Sequence, residues 1–284
     1  MKTIRTLLIL LGLFLCVACN KDDEAGEITS MRPEYNLPQG KSEADAKILD
    51  IYNKYGSYIV YEYTDLDFYY EIENNYIYTL PNPKDVNSMM ELLDETWLQF
   101  YSDKFLKKYL PYTIFLTDSL RYDEWEEPIV TGTTSMAIAQ CNANIKTMTS
   151  DAKNEFKTFI QMIAWYHWIG NSNFKGPESF YKVSTYDKAA DTENPDSPNY
   201  ARARGFIAGE MGEWEWSDNV DWETKKLNPQ TDFESFIINM VCLTDEQWEN
   251  DLKWELVKQK YDILKKYFMD EYQIDITKIG NTVL

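Results

Sequence analysis

Three stretches of this chain repeat apolar residues every third or fourth position over runs far longer than any β-type alternation it contains. The first begins at Asn87, read as a cap, and runs to about Leu110 through Met90, Leu93, Trp97, Phe100, Phe105 and Leu106. The second runs from Ser150 to about Trp168, where Gly170 ends it. The third runs from Thr244 to about Tyr272 through Trp248, Leu252, Leu256, Tyr261, Leu264 and Phe268. Only a helix gathers such positions on one side. A shorter helix is expected over 42–55, with Ala44, Ile48, Ile51, Tyr52 and Tyr55 on its apolar side and Gly56 after its end. Two capping boxes add start signals: Thr231-Asp232-Phe233-Glu234, opening a short helix to Cys242, and Thr244-Asp245-Glu246-Gln247. Strand signals are brief: 57–63, 112–116 after Pro111, and 133–139 after Gly132. Residues 170–200 are rich in Asn, Ser, Pro and Gly and read as a long irregular excursion. The expected class is α+β, mainly helical, with a small sheet early in the chain.

The N-terminus is set aside from that body. Leu7 to Leu15 is an apolar or small-residue run behind Lys2 and Arg5, ending at Val17-Ala18-Cys19. It is too short to span a bilayer, which takes about 20 residues, and it has the form of an export signal. Small Ala18 before a cysteine resembles a bacterial lipobox, which implies that Cys19 carries lipid. Asn20-Lys21-Asp22-Asp23-Glu24 resembles the Lys-plus-acid tag that sends Bacteroidetes lipoproteins to the outer face of the outer membrane. The expected organisation is a signal peptide over 1–18, a lipidated flexible tether over 19–41 and a single domain over 42–284. Cleavage removes two of the 28 basic residues and none of the 47 acids, leaving a net charge of −21. Such a chain repels nucleic acid and has no basic patch to bind phosphates. Beyond Cys16 and Cys19 only Cys141 and Cys242 remain, and their spacing leaves open whether they pair.

The chemistry available is narrow. His167, in Trp165-Tyr166-His167-Trp168, is the single histidine. It reads as a half-buried imidazole capping a helix C-terminal carbonyl rather than as a base or ligand. Neither a Gly-x-Ser-x-Gly elbow nor a phosphate-cradling glycine loop occurs. Asn154-Glu155-Phe156-Lys157-Thr158 has a different interest. Positions 154 and 158 are i and i+4 on one helical face with Glu155 beside them, the spacing at which His-Glu-x-x-His zinc proteases place two imidazoles and a general base. The Glu is kept and both imidazoles are missing. His167 stands nine residues beyond Thr158, about 13 Å along the same helix, and cannot replace them.

The order of segments around this motif carries a resemblance. Phe105-Leu106-Lys107-Lys108-Tyr109-Leu110-Pro111-Tyr112-Thr113-Ile114-Phe115-Leu116 leads into the helix. Arg204-Gly205-Phe206-Ile207 and Asn228-Pro229-Gln230-Thr231-Asp232-Phe233-Glu234 follow, and Lys260 to Phe268 with Tyr272-Gln273-Ile274-Asp275 closes the chain. Over nearly all the mature sequence this resembles the zinc-binding metallopeptidase lipoproteins of Bacteroidetes. The resemblance implies a zincin-like body, a zinc cofactor, a His-Glu-Phe-x-His helix and a further ligand from an acidic run at Asp232. Glu155 and Phe156 match, as do Asp232 and Phe233. Asn154 and Thr158 depart at the ligands, Thr231 and Ser235 replace flanking acids, and Glu234 is shifted by one.

These departures set the functional expectation. An amide, a hydroxyl and a few carboxylates lack the nitrogen donors that zinc prefers. The chain is expected to hold no metal and to turn over no peptide. Glu155 would then be a vestigial catalytic residue. Asn154, Thr158, Asp232 and Glu234 would line a binding cleft for a peptide, protein or glycan. Two alternatives stand beside this: a hydrolase using Glu155, Asp232 or Glu234 as base at a non-standard site, and a glycan-binding accessory lipoprotein using Trp214, Trp216 and Trp222.

Overall fold

The computed structural model describes residues 33–73, 75–209, 220–221 and 223–284. Cys19 and Trp214, Trp216 and Trp222 lie outside the described residues. Residues Tyr35–Leu284 form one compact unit. Residues 35–41, expected to end the tether, belong to it. Tyr35 packs edge-on against Tyr58 at 5.3 Å, and Gln39 Oε1 accepts the Tyr61 backbone N–H at 3.0 Å.

Helix α1 (Asp45–Tyr55) ends at Gly56, whose φ of 75° is the left-handed conformation that glycine adopts without strain. It leads into β1 (Tyr58–Val60). Helix α2 (Asp65–Glu71) was not foreseen, although Thr64 and Asp67 cap it reciprocally. The long helix expected to start at Asn87 starts at Val86, after Asp85, whose carboxylate accepts from Lys146 at 2.6 Å instead of capping it, and divides into three. These are α3 (Val86–Thr96), a 3₁₀ turn (Leu98–Phe100) and α4 (Asp103–Tyr109). The break falls at Trp97 (φ −137°, ψ −70°), and Ser102 restarts the helix by accepting from Phe105 N–H.

Strands β1, β3 (Thr113–Leu116), β7 (Ser135–Ile138) and β6 (Ile129–Thr131) form a sheet in the order β1-β3-β7-β6. The first three run parallel, with β6 antiparallel to β7. β3 and β7 are buried along their whole length, which is why they appear as apolar runs rather than alternations. A second, antiparallel sheet has the order β2 (Tyr76–Thr79), β4 (Ser119–Tyr122), β5 (Trp125–Glu126).

Helix α5 (Ser150–Gly170) is capped by Thr149, which accepts from Ala152 N–H. One turn, α6 (Glu178–Tyr181), interrupts the irregular segment after it. Helix α7 (Pro229–Cys242) starts earlier than the Thr231 box implied. Asn228 caps it and Pro229 takes the first helical position, where its missing N–H costs nothing. The box at Thr244 is real but opens only α8 (Asp245–Trp248); α9 (Glu255–Tyr272) starts after Trp254. The last helix is α10 (Ile276–Asn281).

The packing centre is α5 along α7, with α10 also packed on α7 and α3 against α5. Phe156, Ile160, Ala164 and Trp168 repeat every four residues along the buried side of α5. Trp165 and Trp168 are both fully buried among Tyr101, Phe105 and Phe174. The Trp165 indole N–H donates to Tyr101 Oη at 2.9 Å, Tyr101 O–H donates to Gln161 Oε1, and Gln161 Nε2 donates to Thr96 O at 2.8 Å. That chain of bonds satisfies Trp165, Tyr101 and Gln161, while the buried indole N–H groups of Trp97 and Trp168 have no hydrogen-bond partner among the described residues. Among the described residues no helix is long and apolar enough to cross a membrane.

Candidate functional site

Lys260 sits in the apolar stripe of α9, between Val257 and Leu264, and is wholly buried. A buried ammonium needs a counter-charge. Asp232, one turn into α7 and also buried, supplies it: Lys260 Nζ lies 2.6 Å from Asp232 Oδ2. Tyr186 O–H donates to the same oxygen at 2.6 Å. Four rings enclose the ammonium, Phe206 at 4.4 Å, Phe180 at 4.9 Å, Phe236 at 5.5 Å and Tyr186 at 5.7 Å from Nζ to centroid. Burial pushes the Asp232 carboxyl up and the Lys260 ammonium down, and their mutual attraction opposes burial in both. Asp232 Oδ1 has no hydrogen-bond partner.

Local geometry assembles this cluster from distant segments. Gly205 has φ 85°, and a Cβ there would lie 2.8 Å from Ser184 Oγ and 2.9 Å from Leu256 Cβ. The glycine therefore lets the segment into Phe206 press against α9. Asn239 Nδ2 donates to Ser235 O at 2.8 Å and to Gly209 O at 3.2 Å, fixing the end of that segment to α7.

Beside the cluster is a cleft of about 240 Å³. Ile169, Phe174, Tyr181 and Phe233 form its apolar floor, with Lys175 and Gln230 at the exposed rim. Phe174 and Phe233 stack at 6.0 Å. Gly176 lies flat against Phe233, where a Cβ would meet the ring at 2.6 Å, and its N–H donates to Tyr181 Oη at 3.2 Å. The cleft suits one apolar side chain rather than a drug-sized ligand, since such ligands fill roughly 300–1,000 Å³.

The residues expected to share a site are not brought together. Cys242 Sγ, at the C-terminal end of α7, contacts Thr158 O at 3.8 Å. Asp232 lies ten residues back along α7, a rise of about 15 Å. Asn154 is engaged elsewhere: its Oδ1 accepts from Leu284 N–H at 3.1 Å and its Nδ2 donates to Ser150 O at 2.9 Å. Glu155 is exposed, on the side of α5 opposite its buried stripe. Glu234 is half-buried and accepts from Gln230 Nε2 at 3.0 Å. Lys157, within the same motif, is buried and donates to Ile279 O at 2.8 Å and to Thr282 O. This stretch of α5 therefore anchors the C-terminal segment.

His167 is buried rather than half-buried, and Nδ1 is 3.2 Å from Asn171 Nδ2, so Asn171 is the donor. Burial pushes its pKa down to about 4. The ring is neutral at physiological pH and serves the end of α5. Cys141 is buried, and no disulfide joins it to Cys242. Sequence reasoning overlooked Lys260 and Tyr186. A lysine inside an otherwise apolar helical stripe was the available signal.

Residues 39–277 match the family described as "Putative zinc-binding metallo-peptidase". The chain belongs to this family. A crystal structure of a putative zinc-binding metallo-peptidase from Bacteroides caccae is similar, with a TM-score of 0.53 at 17% identity, covering 87% of this chain and 92% of that one. At that identity the likeness is one of fold. No curated protein matches the sequence. The ion in the family's description does not fit the residues present here. Among the described residues no three His, Cys, Asp or Glu side chains converge. The acid in the ligand-like run is bonded to an ammonium, and positions 154 and 158 offer an amide and a hydroxyl.

Proposed function

We propose that this chain keeps a metallopeptidase body without peptide hydrolysis and acts by binding, as a lipid-anchored protein on the outer face of the outer membrane. The Asp232–Lys260 ion pair carries the reading. A carboxylate hydrogen-bonded by a buried ammonium and a phenol cannot ligate a divalent ion without expelling a fixed positive charge. Glu155 is exposed and stands about a helix-length from Asp232, which supports reading it as a vestige. The anchor is supported by Ala18-Cys19 and the acidic tag after it.

Binding is assigned to the Ile169–Phe174–Phe233 cleft, whose stacked floor and exposed Lys175 and Gln230 suit an apolar side chain of a peptide or protein. The test uses mature protein purified without added metal. Elemental analysis should find substoichiometric zinc, and a peptide library should remain intact with and without chelator. One zinc per chain together with chelator-sensitive cleavage would overturn the proposal. Radiolabelled palmitate should enter the wild-type chain and fail to enter Cys19→Ser.

A further inference from the structure

Exposed apolar residues concentrate on one part of the molecule, around α2 and the β2-β4-β5 sheet. Leu66 is 79% exposed, Trp125 74%, Ile77 53% and Tyr122 45%. The register explains how the rings line up. Tyr76 pairs with Tyr122 across β2 and β4, and Tyr122 with Trp125 across β4 and β5, so all three side chains stand on one face of three neighbouring strands. Tyr76 and Tyr122 are 5.6 Å apart. On this face Tyr78 and Leu120 point into the core, and the row continues past the core into solvent. Carboxylates flank it: Glu73 precedes β2, Asp123 and Glu124 form the β4–β5 turn, and Glu127 follows β5, whereas Glu126 stands on the opposite face of the sheet. Arg121 is the single basic residue of β4 and β5, and it stands opposite Glu126 in the register.

A row of indole and phenol faces set among acids attracts one kind of group above others. A cation gains from the ring quadrupole and from the carboxylates together, whereas a neutral sugar gains only from the rings and an anionic lipid surface is repelled. We propose that the Tyr76–Tyr122–Trp125 row is a docking surface for a Lys- or Arg-rich segment of a partner protein, separate from the Phe174–Phe233 cleft.

The test is fluorescence anisotropy of a labelled deca-lysine peptide against the mature protein, with laminarin as the neutral glycan probe. The parent chain should bind the peptide, and Tyr122→Ala/Trp125→Ala, which changes no charge, should weaken binding about tenfold. Both side chains are exposed, so the double variant should melt as the parent does. On the unaltered protein, deca-lysine should slow hydrogen exchange in residues 119–127. Equal peptide affinity in the double variant, or laminarin binding that depends on Trp125 while deca-lysine leaves 119–127 unprotected, would overturn the proposal.

Discussion

Lys260 and Asp232 illustrate how one side chain can decide what a site does. Removing only the lysine strands a buried carboxylate, so Lys260→Met should destabilise the fold by about 3–5 kcal/mol. Lys260→Met/Asp232→Leu removes both charges and should recover much of that loss. Urea unfolding of the two variants measures the difference, and equal losses would show that the ion pair is not the reason for the cost. His167 offers a second test. Its folded pKa of about 4 lies below the ordinary 6.5. Between those values the unfolded chain binds a proton that the folded chain does not, so stability falls as pH drops from about 6.5 toward 4. The full loss from this group is about 3 kcal/mol. His167→Gln should flatten that part of the pH profile in denaturant titrations. A profile identical to wild type would remove His167 as the cause.

At the scale of elements, α10 depends on contacts that admit no extra atoms. A Cβ on Gly280 would lie 2.1 Å from Leu243 O, just past the end of α7. Gly280→Ala should cost about 1–3 kcal/mol, seen as a lower melting temperature with faster hydrogen exchange in 276–281. The sequence made the amphipathic helices legible because their apolar stripes are long and regular, and it located β3 and β7 because buried strands appear as apolar runs. It concealed the break at Trp97 because an aromatic at the right spacing looks like a helical residue until the backbone is seen to turn there. The β2-β4-β5 sheet was hidden for the opposite reason: its strands are short and largely exposed, so no sustained alternation marks them. At the site, Asp232 was legible from the acidic run, whereas its partners Lys260 and Tyr186 come from segments whose approach depends on Gly205 and the path of 184–208. The spacing at 154–158 suggested a ligand face, but a helix offers that geometry on every side, and tertiary packing gave this one to the C-terminal segment.

For the molecule as described, the interior is aromatic, with Trp97, Trp165, Trp168 and Trp248 fully buried. A structural zinc can supply about 10–16 kcal/mol of apparent binding energy, so its removal could not pass unnoticed. Prolonged dialysis against chelator should leave the melting temperature of this protein unchanged, and a marked drop would reveal a metal that the described residues do not account for. Helix α7 also acts as a ruler between the two halves of the familial motif. An engineer who wrote imidazoles at 154 and 158 would remove the Asn154 side chain that accepts the Leu284 N–H, with Asp232 a helix-length off and already bonded to Lys260. If the body binds without hydrolysing, as proposed, building proteolysis into it would call for re-siting an entire arm of the scaffold, and imidazoles written at 154 and 158 alone should yield inert proteins.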